Sequence, residues 1–368
     1  MLTTEVLERV VRAASRAPSV HNTQPWTVEV GLAQGRGTVD VGVDPARSLR
    51  HGDPLSREAT ISCGALVDHL VVAARREGLD AEVMGPRGSG PGRAAAGLSV
   101  AGVPVVGVPV AGSPPVSGTG PALARVVLVP GGPPSVAELE LSVATVHRRT
   151  SRTALDDLVV DDALVERLVR VVADAQAHLV VLPPGSAARG VVLRQVARAE
   201  ALATEDLVGR AEEEAWTGRG AAAGGGDGDG VPAEDPWAGH PGAAPGPGSR
   251  RLGERARQGG TAEQGEAAEQ GGAAENGAVL ALLSTTGDSP DDWLRAGRAL
   301  SRLLLEATVA GLTASFATTV LENPTTRHEV VRSLGLVGAP QVLLQLGYGE
   351  PGVRTPRRAL RTGRHHVC

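Results

Sequence analysis

PSVHNTQPW, residues 18–26, sets Ser19, His21, Asn22, Thr23 and Gln24 between two stiff prolines, Pro18 and Pro25. Upstream, Val6, Leu7, Val10, Val11 and Ala14 recur at helical spacing. That spacing predicts a helix over 4–17, stopped by Pro18. Downstream, TVEVGL reads as a strand, and a second strand follows near 38–43. Amides and hydroxyls donate and accept together, so such a turn suits a flat heteroaromatic ring with mixed donors and acceptors. By composition alone the plainer reading is favoured: a helix-to-strand loop with Asx and Ser turns.

Outward from this turn the chain alternates helices and strands. Ser56 and Glu58 open a helix to Arg76 that Gly78 ends. ARVVLVP, 124–130, is a strand, and Ser135 with Glu138 forms a capping-box pattern for a helix through Val146. HRRTSR, 147–152, follows. Further on come helices at 161–176 and 187–214, with the strand HLVVL, 178–182, between them. The strand AVLALLST (278–285), a helix from Pro290 to Gly311, a helix at 324–334 and a last strand at 340–349 complete the pattern. The tail TPRRALRTGRHHVC is basic and polar. Two stretches break the periodicity: the Gly/Pro/Ala/Val-rich 84–120 and the low-complexity 218–277, with its AEQG, AAEQG and AAENG repeats. Both read as inserts. The second buries too little apolar surface to offset its ordering entropy and is either disordered or a lid. Both halves run helix, strand, long helix, a weak internal duplication visible as pattern.

Composition excludes whole mechanisms. The 368 residues carry a formal net charge of −5, which argues against general nucleic-acid or anionic-membrane binding. All 36 basic residues are Arg. Without Lys there is no Walker P-loop, no Schiff-base chemistry and no kinase strand lysine. No Gly-x-Ser-x-Gly elbow occurs. Two cysteines, Cys63 and Cys368, make neither a disulfide scaffold nor a zinc cluster, and Cys63 reads as a small core residue. His365, His366 and Cys368 are ligand types in a terminal tail, where disorder is the simpler reading, and no metal site is expected. GGGDGDG at 224–230 lacks a Rossmann context. There is no signal-peptide pattern and no membrane-length apolar run, so a cytoplasmic protein is expected.

Arg148, Arg149 and Arg152 are the second candidate cluster. Three guanidinium groups within five residues suit a phosphate, or Arg148 and Arg149 merely complement the dipole of the preceding helix. Before any resemblance is considered the two readings stand about even.

PSVHNTQPW resembles the Pro-Ser-x-x-Asn-x-Gln-Pro-Trp motif of the nitroreductase superfamily, and HRRTSR is similar to its Arg-Arg-Ser-x-Arg motif. EATVAGLTASFATTV and PQVLLQLGYGEPGVRTPRR resemble the helix and Gly-rich turn beside the flavin and the closing strand with its basic tail. In an ordinary member the Arg motif comes first; here it follows by more than a hundred residues. That order resembles the Acg-type branch, in which one chain holds two nitroreductase-like halves.

The resemblance implies an α+β fold: a duplicated nitroreductase-like fold with central antiparallel-type sheets, flanking helices and an internal pseudo-dimer. It implies halves at 1–140 and 141–368. It implies FMN, with Arg148, Arg149 and Arg152 on the phosphate, and Ser19, Val20, Asn22 and Gln24 along the ring. Thr313, Ala314 and Ser315 would approach from the other side, with Arg357 or Arg358 adding charge at the phosphate. No side chain need act as acid or base. The second half lacks a ring-side turn of its own, since residues 173–180 read ADAQAHLV. One FMN per chain and a monomeric pseudo-dimer are therefore expected. The implied activity passes hydride from NAD(P)H through FMN to a nitroaromatic or quinone-like small-molecule acceptor. The alternative is a flavin-sequestering stress protein with little turnover, in which 218–277 shuts the ring away.

Overall fold

The computed structural model describes residues 2–85, 122–217, 277–359 and 362–365. The inserts expected at 84–120 and 218–277 lie outside the described residues, apart from the first two residues of one and the last of the other.

Helix α1 (Thr4–Ala14) buries Leu7, Val10, Val11 and Ala14, and Thr3 caps it by accepting from the Val6 N–H at 3.3 Å. Strands β1 (Trp26–Ala33) and β2 (Arg36–Val43) form a hairpin. Its two turn residues, Gln34 and Gly35, both have positive φ, as a two-residue hairpin on right-twisted strands requires. Helix α2 (Arg57–Arg76), strands β3 (Leu79–Met84) and β4 (Ala124–Pro130) and helix α3 (Val136–His147) follow. The capping box of Ser135 and Glu138 is formed. Ser56 does not cap α2 with its side chain. Its φ is 55°, and the Asp53 carboxylate accepts the Ala59 N–H at 2.9 Å instead.

The second part of the chain runs α4 (Asp162–Asp174), β5 (His178–Leu182), α5 (Ala187–Glu205), α6 (Leu207–Ala215) and β6 (Val279–Thr285). It continues with α7 (Pro290–Val309), β7 (Thr313–Phe316), α8 (Thr319–Glu322), α9 (Pro324–Leu334), β8 (Ala339–Gly347) and β9 (Thr362–His365). The helix expected over 187–214 is two. Asp206 leaves helical geometry and accepts the Gly209 N–H at 3.0 Å, so it ends α5 and caps α6. The tail expected to lack structure carries β9.

Two sheets result. One has the order β3-β4-β2-β1-β9, the other β5-β6-β8-β7. Every strand pairing in them is antiparallel except that of β9 with β1, which is parallel. The first sheet packs one face on α1 and α2 around Leu7, Trp26, Val39, Leu66 and Leu128, and its strands alternate buried with half-buried positions. The second is covered on both faces. Leu283, Leu303 and Leu344 pack on one side, and Leu182, Val196, Leu280 and Leu321 on the other. That double cover explains why β6 and β8 are buried almost end to end, polar Gln341 and Gln345 included.

The long helices α2 and α7 join the two sheets' layers. They touch at Gly64 and Gly297. A Cβ on Gly64 would lie 2.1 Å from the Leu294 carbonyl oxygen, and one on Gly297 1.9 Å from that of Ile61. Beside this crossing, the Asp68 carboxylate accepts from Ser301 at 2.8 Å and Arg302 at 2.9 Å. With the Ser301 hydroxyl thus committed, the His69 Nδ1–H donates to Ser301 Oγ at 2.9 Å. The result is a duplicated helix-plus-sheet architecture with a helical seam. None of the described helices is long and apolar enough to cross a membrane.

Candidate functional site

A cavity of about 1470 Å³ opens between the two layers, beside the seam. Ile61, Ser62 and Ala65 of α2 and Leu300 of α7 form part of its wall.

The turn at 18–26 enters this cavity in an unusual backbone state. His21, Asn22 and Gln24 have φ of 42°, 55° and 49°. Left-handed geometry suits Asn, whose short polar side chain bonds locally, and is costlier for the other two. Outside contacts hold the turn. Ser19 Oγ accepts the Gln24 N–H at 3.1 Å, and Ser62 Oγ accepts the Val20 N–H at 3.3 Å. From the far end of the chain, Arg357 donates to Asn22 Oδ1 at 2.8 Å, and Asn22 Nδ2 donates to the Pro356 carbonyl at 3.1 Å. The Arg358 N–H donates to Gln24 Oε1 at 3.1 Å, and its guanidinium donates to the carbonyls of Gln24 and Trp26 at 3.0 and 2.6 Å.

The Arg loop reaches the same cavity from the end of α3. The Arg148 N–H still bonds the Ala144 carbonyl, at 2.8 Å. Beyond it the loop runs along β7: Thr150 pairs with Ala314, the Ser151 N–H donates to the Ala314 carbonyl at 2.8 Å, and Thr313 Oγ1 reaches the Arg149 carbonyl at 3.5 Å.

Ser19, Val20, Asn22, Arg148, Arg149, Arg152, Ser315, Arg357 and Arg358 all line the cavity, although turn and Arg loop lie far apart in sequence. Gln24, Thr313 and Ala314 do not line it. They are buried behind it, Gln24 under Arg358 and the other two under the Arg loop.

The Arg end of the cavity is strongly cationic. Arg148 is only 7% exposed, and its Nε–H has no hydrogen-bond partner among the described residues. Burial, then the charges of Arg357, Arg149 and Arg152, pull its pKa down to about 9. Arg357 is lowered to about 10 by burial and by Arg149, Arg16 and Arg354, and Arg149 is lowered by burial, Arg354 and Arg16. Charges forced together this way favour any anion that enters. Arg16 and Arg354 are part of this field and escaped the sequence reading. Arg16 falls just past α1, where it reads as an ordinary end-of-helix cation.

Part of the cavity wall is acidic, with Glu58, Glu322, Glu212 and Glu213. Glu58 is buried, accepts from Arg57 at 3.0 Å, and is pushed up to about 7, because burial outweighs that neighbour. The folded chain therefore holds a proton here that the unfolded chain releases near 4.5. This contribution to stability is complete at acid pH and is lost as pH rises toward about 7. Glu58→Gln is expected to flatten that decline; melting temperatures of variant and wild type between pH 5 and 8 check it. A constant offset between the two would rule it out.

Helix α6 ties the acidic wall to the first layer. The Glu212 carboxylate accepts the backbone N–H groups of Arg50, His51 and Gly52, at 2.5, 3.0 and 2.9 Å. His51 Nε2 and Asp206 Oδ2 are 2.7 Å apart. His21, in the turn, is lowered to about 4 by burial and then by Arg152, so its ring is neutral at physiological pH. Cys63 is buried between the carbonyls of Pro25 and Gly42, and burial pushes its thiol far up, which leaves it inert. No cluster of metal-ligating side chains occurs among the described residues.

No family model matches the chain. It is 29% identical over 371 residues to the putative NAD(P)H nitroreductase Rv3131 of Mycobacterium tuberculosis (strain ATCC 25618 / H37Rv), spanning 97% of this chain and 90% of that one. It is 42% identical over 83 residues to the putative NAD(P)H nitroreductase acg of the same strain, covering 23% of this chain and 24% of that one. The crystal structure of the FMN-dependent nitroreductase NfnB from Mycobacterium smegmatis in complex with NADPH superposes with a TM-score of 0.32 at 18% identity, covering 58% of this chain and 89% of that one.

Proposed function

Since the chain belongs to the nitroreductase superfamily, with Acg-type relatives, we propose that it binds FMN in the inter-layer cavity and acts as an NAD(P)H-dependent oxidoreductase. The observation that carries this reading is Arg148: a buried guanidinium, unpartnered at Nε, in a cavity that the turn at 18–26 enters as well. Leaving a buried donor unmade costs about 1–3 kcal/mol, so an anionic ligand is the natural partner for this atom. A phosphate fits the Arg end, and the mixed donors and acceptors of the turn fit a flavin ring.

In this reading Arg148, Arg149 and Arg152 hold the phosphate. Ser19, Val20 and Asn22 lie along the ring, and Ser315 faces it from the other side. Gln24, Thr313 and Ala314 support these residues from behind. The bound flavin supplies hydride and electron transfer. The chain's own residues bind, orient and shield it, and none is required as acid or base. The halves at 1–140 and 141–368 would share one FMN, because the turn comes from one and the Arg loop from the other.

The cavity of about 1470 Å³ exceeds the roughly 300–1000 Å³ usual for a site that holds one ligand. Room for an acceptor beside the cofactor supports a nitroaromatic or quinone-like small molecule as oxidant. Purified with excess FMN, the protein is expected to retain one flavin per chain. Without oxygen, NADPH or NADH is expected to bleach its visible absorption. Two flavins per chain would refute the shared site, and a bound flavin that stays yellow would favour the sequestering alternative.

A further inference from the structure

The basic residues around the cavity do not all do the same work. Arg148 and Arg357 each bury an Nε–H with no partner among the described residues, but Arg357 is bonded at both terminal nitrogens. One donates to Asn22 Oδ1 at 2.8 Å and Thr355 Oγ1 at 2.6 Å, and the other to the carbonyls of Arg16 and Ala17 at 3.2 and 3.4 Å. These partners bracket Pro18 and Ser19, so one planar group spans both sides of the turn's entry. Asn22 returns a bond to the Pro356 carbonyl, which closes the clamp. Its φ of 55°, flanked by His21 at 42°, is the kind of backbone state that persists only when surrounding contacts over-determine it.

We propose that Arg357 is a positioning residue: it acts on the flavin ring through Asn22 and the left-handed turn, and not as a ligand of the phosphate. This rests on the FMN reading above and divides the Arg cluster into two roles. Arg148 reads the phosphate, and Arg357 sets the shape of the ring-side wall. A planar fork is essential to the second role. Lys carries the same charge as a single point and cannot reach Asn22 and the Arg16 and Ala17 carbonyls together.

Riboflavin, which has the ring but no phosphate, separates the two roles. Binding of FMN and of riboflavin is followed by quenching of flavin fluorescence, with a thermal melt as the folding control. Arg148→Gln is expected to weaken FMN and leave riboflavin nearly unchanged. Arg357→Gln and Arg357→Lys are expected to weaken both flavins equally, by about 10-fold each, the worth of a lost charge-assisted bond. Their ratio stays at the wild-type value.

Asn22→Gly removes the same contact from the other side while tolerating positive φ. It covers the case in which an Arg357 variant fails to fold, and it is expected to lower both affinities equally. Rescue by Arg357→Lys, loss of FMN alone in Arg357→Gln, or unchanged affinities in Asn22→Gly would overturn the assignment. A wild-type chain that binds neither flavin would overturn the proposed function itself, whereas those other results would leave it standing.

Discussion

Arg148→Gln is expected to weaken FMN binding by about 100-fold and, at the same time, to stabilise the flavin-free protein. The two effects have one cause. In the free protein this guanidinium is buried, unpartnered at Nε, and repelled by Arg149, Arg152 and Arg357. Removing an uncompensated buried charge relieves that cost, on the order of 1 kcal/mol or more. In the complex the same group would make charge-assisted bonds to a phosphate, where a loss of about 3 kcal/mol corresponds to the expected 100-fold. Equilibrium binding and the melting temperature of flavin-free protein read the two effects separately. A variant that melts lower than wild type without flavin would mean Arg148 is a structural cation. The function would then lose its main support.

The second large effect concerns the helical seam. Gly64→Ala and Gly297→Ala each place a methyl about 2 Å from a backbone carbonyl of the facing helix. Neither contact is relieved by turning a flexible side chain; α2 and α7 must move apart. Overpacking of an ordinary core costs about 1–3 kcal/mol, and a backbone-to-backbone obstruction lies at or above the top of that range. Each variant is expected to lose about 3 kcal/mol in urea unfolding, and the pair together to lose the native state. Because Ile61, Ser62, Ala65 and Leu300 on these helices wall the cavity, surviving single variants should also bind flavin less well. A loss below 1 kcal/mol would mean that the two helices are farther apart.

The sequence pattern carried the regular elements well where one physical signal dominated. The box at Ser135 and Glu138 marked the start of α3, and the apolar alternation and runs of β1, β5 and β6 marked strands. It did not reach the finer detail. Ser56 stands at the N-terminus of α2 as the pattern predicts, but its backbone is left-handed, its side chain makes no capping bond, and Asp53, three residues earlier, accepts from the first turn. TASF at 313–316 alternates polar and apolar residues over only four positions, too short a run to announce a strand, and pairing with β8 makes it β7. The break at Asp206 was hidden because its side chain acts as a local cap inside an otherwise continuous helical pattern.

At the candidate site, the turn and the Arg loop were legible as polar and cationic clusters, and the resemblance supplied a reason to join them. Their shared cavity is a product of the fold. So are the acidic wall and the differing states of Arg148 and Arg357, because hydrogen-bond satisfaction depends on neighbours distant in sequence. No spacing rule distinguishes an arginine that is spoken for from one that is waiting.

The last strand in chain order, β9, lies parallel to β1 at the edge of the first sheet. A ribosome delivers β1 about 330 residues before β9. At roughly 5–20 residues per second, the interval is on the order of a minute or less. Throughout it, β1 presents an open row of backbone donors and acceptors to whatever else is in solution. The nascent first sheet is therefore an aggregation hazard until β9 emerges. A chain interrupted before β9 would carry that hazard permanently, even with every residue of the Arg loop and the turn in place.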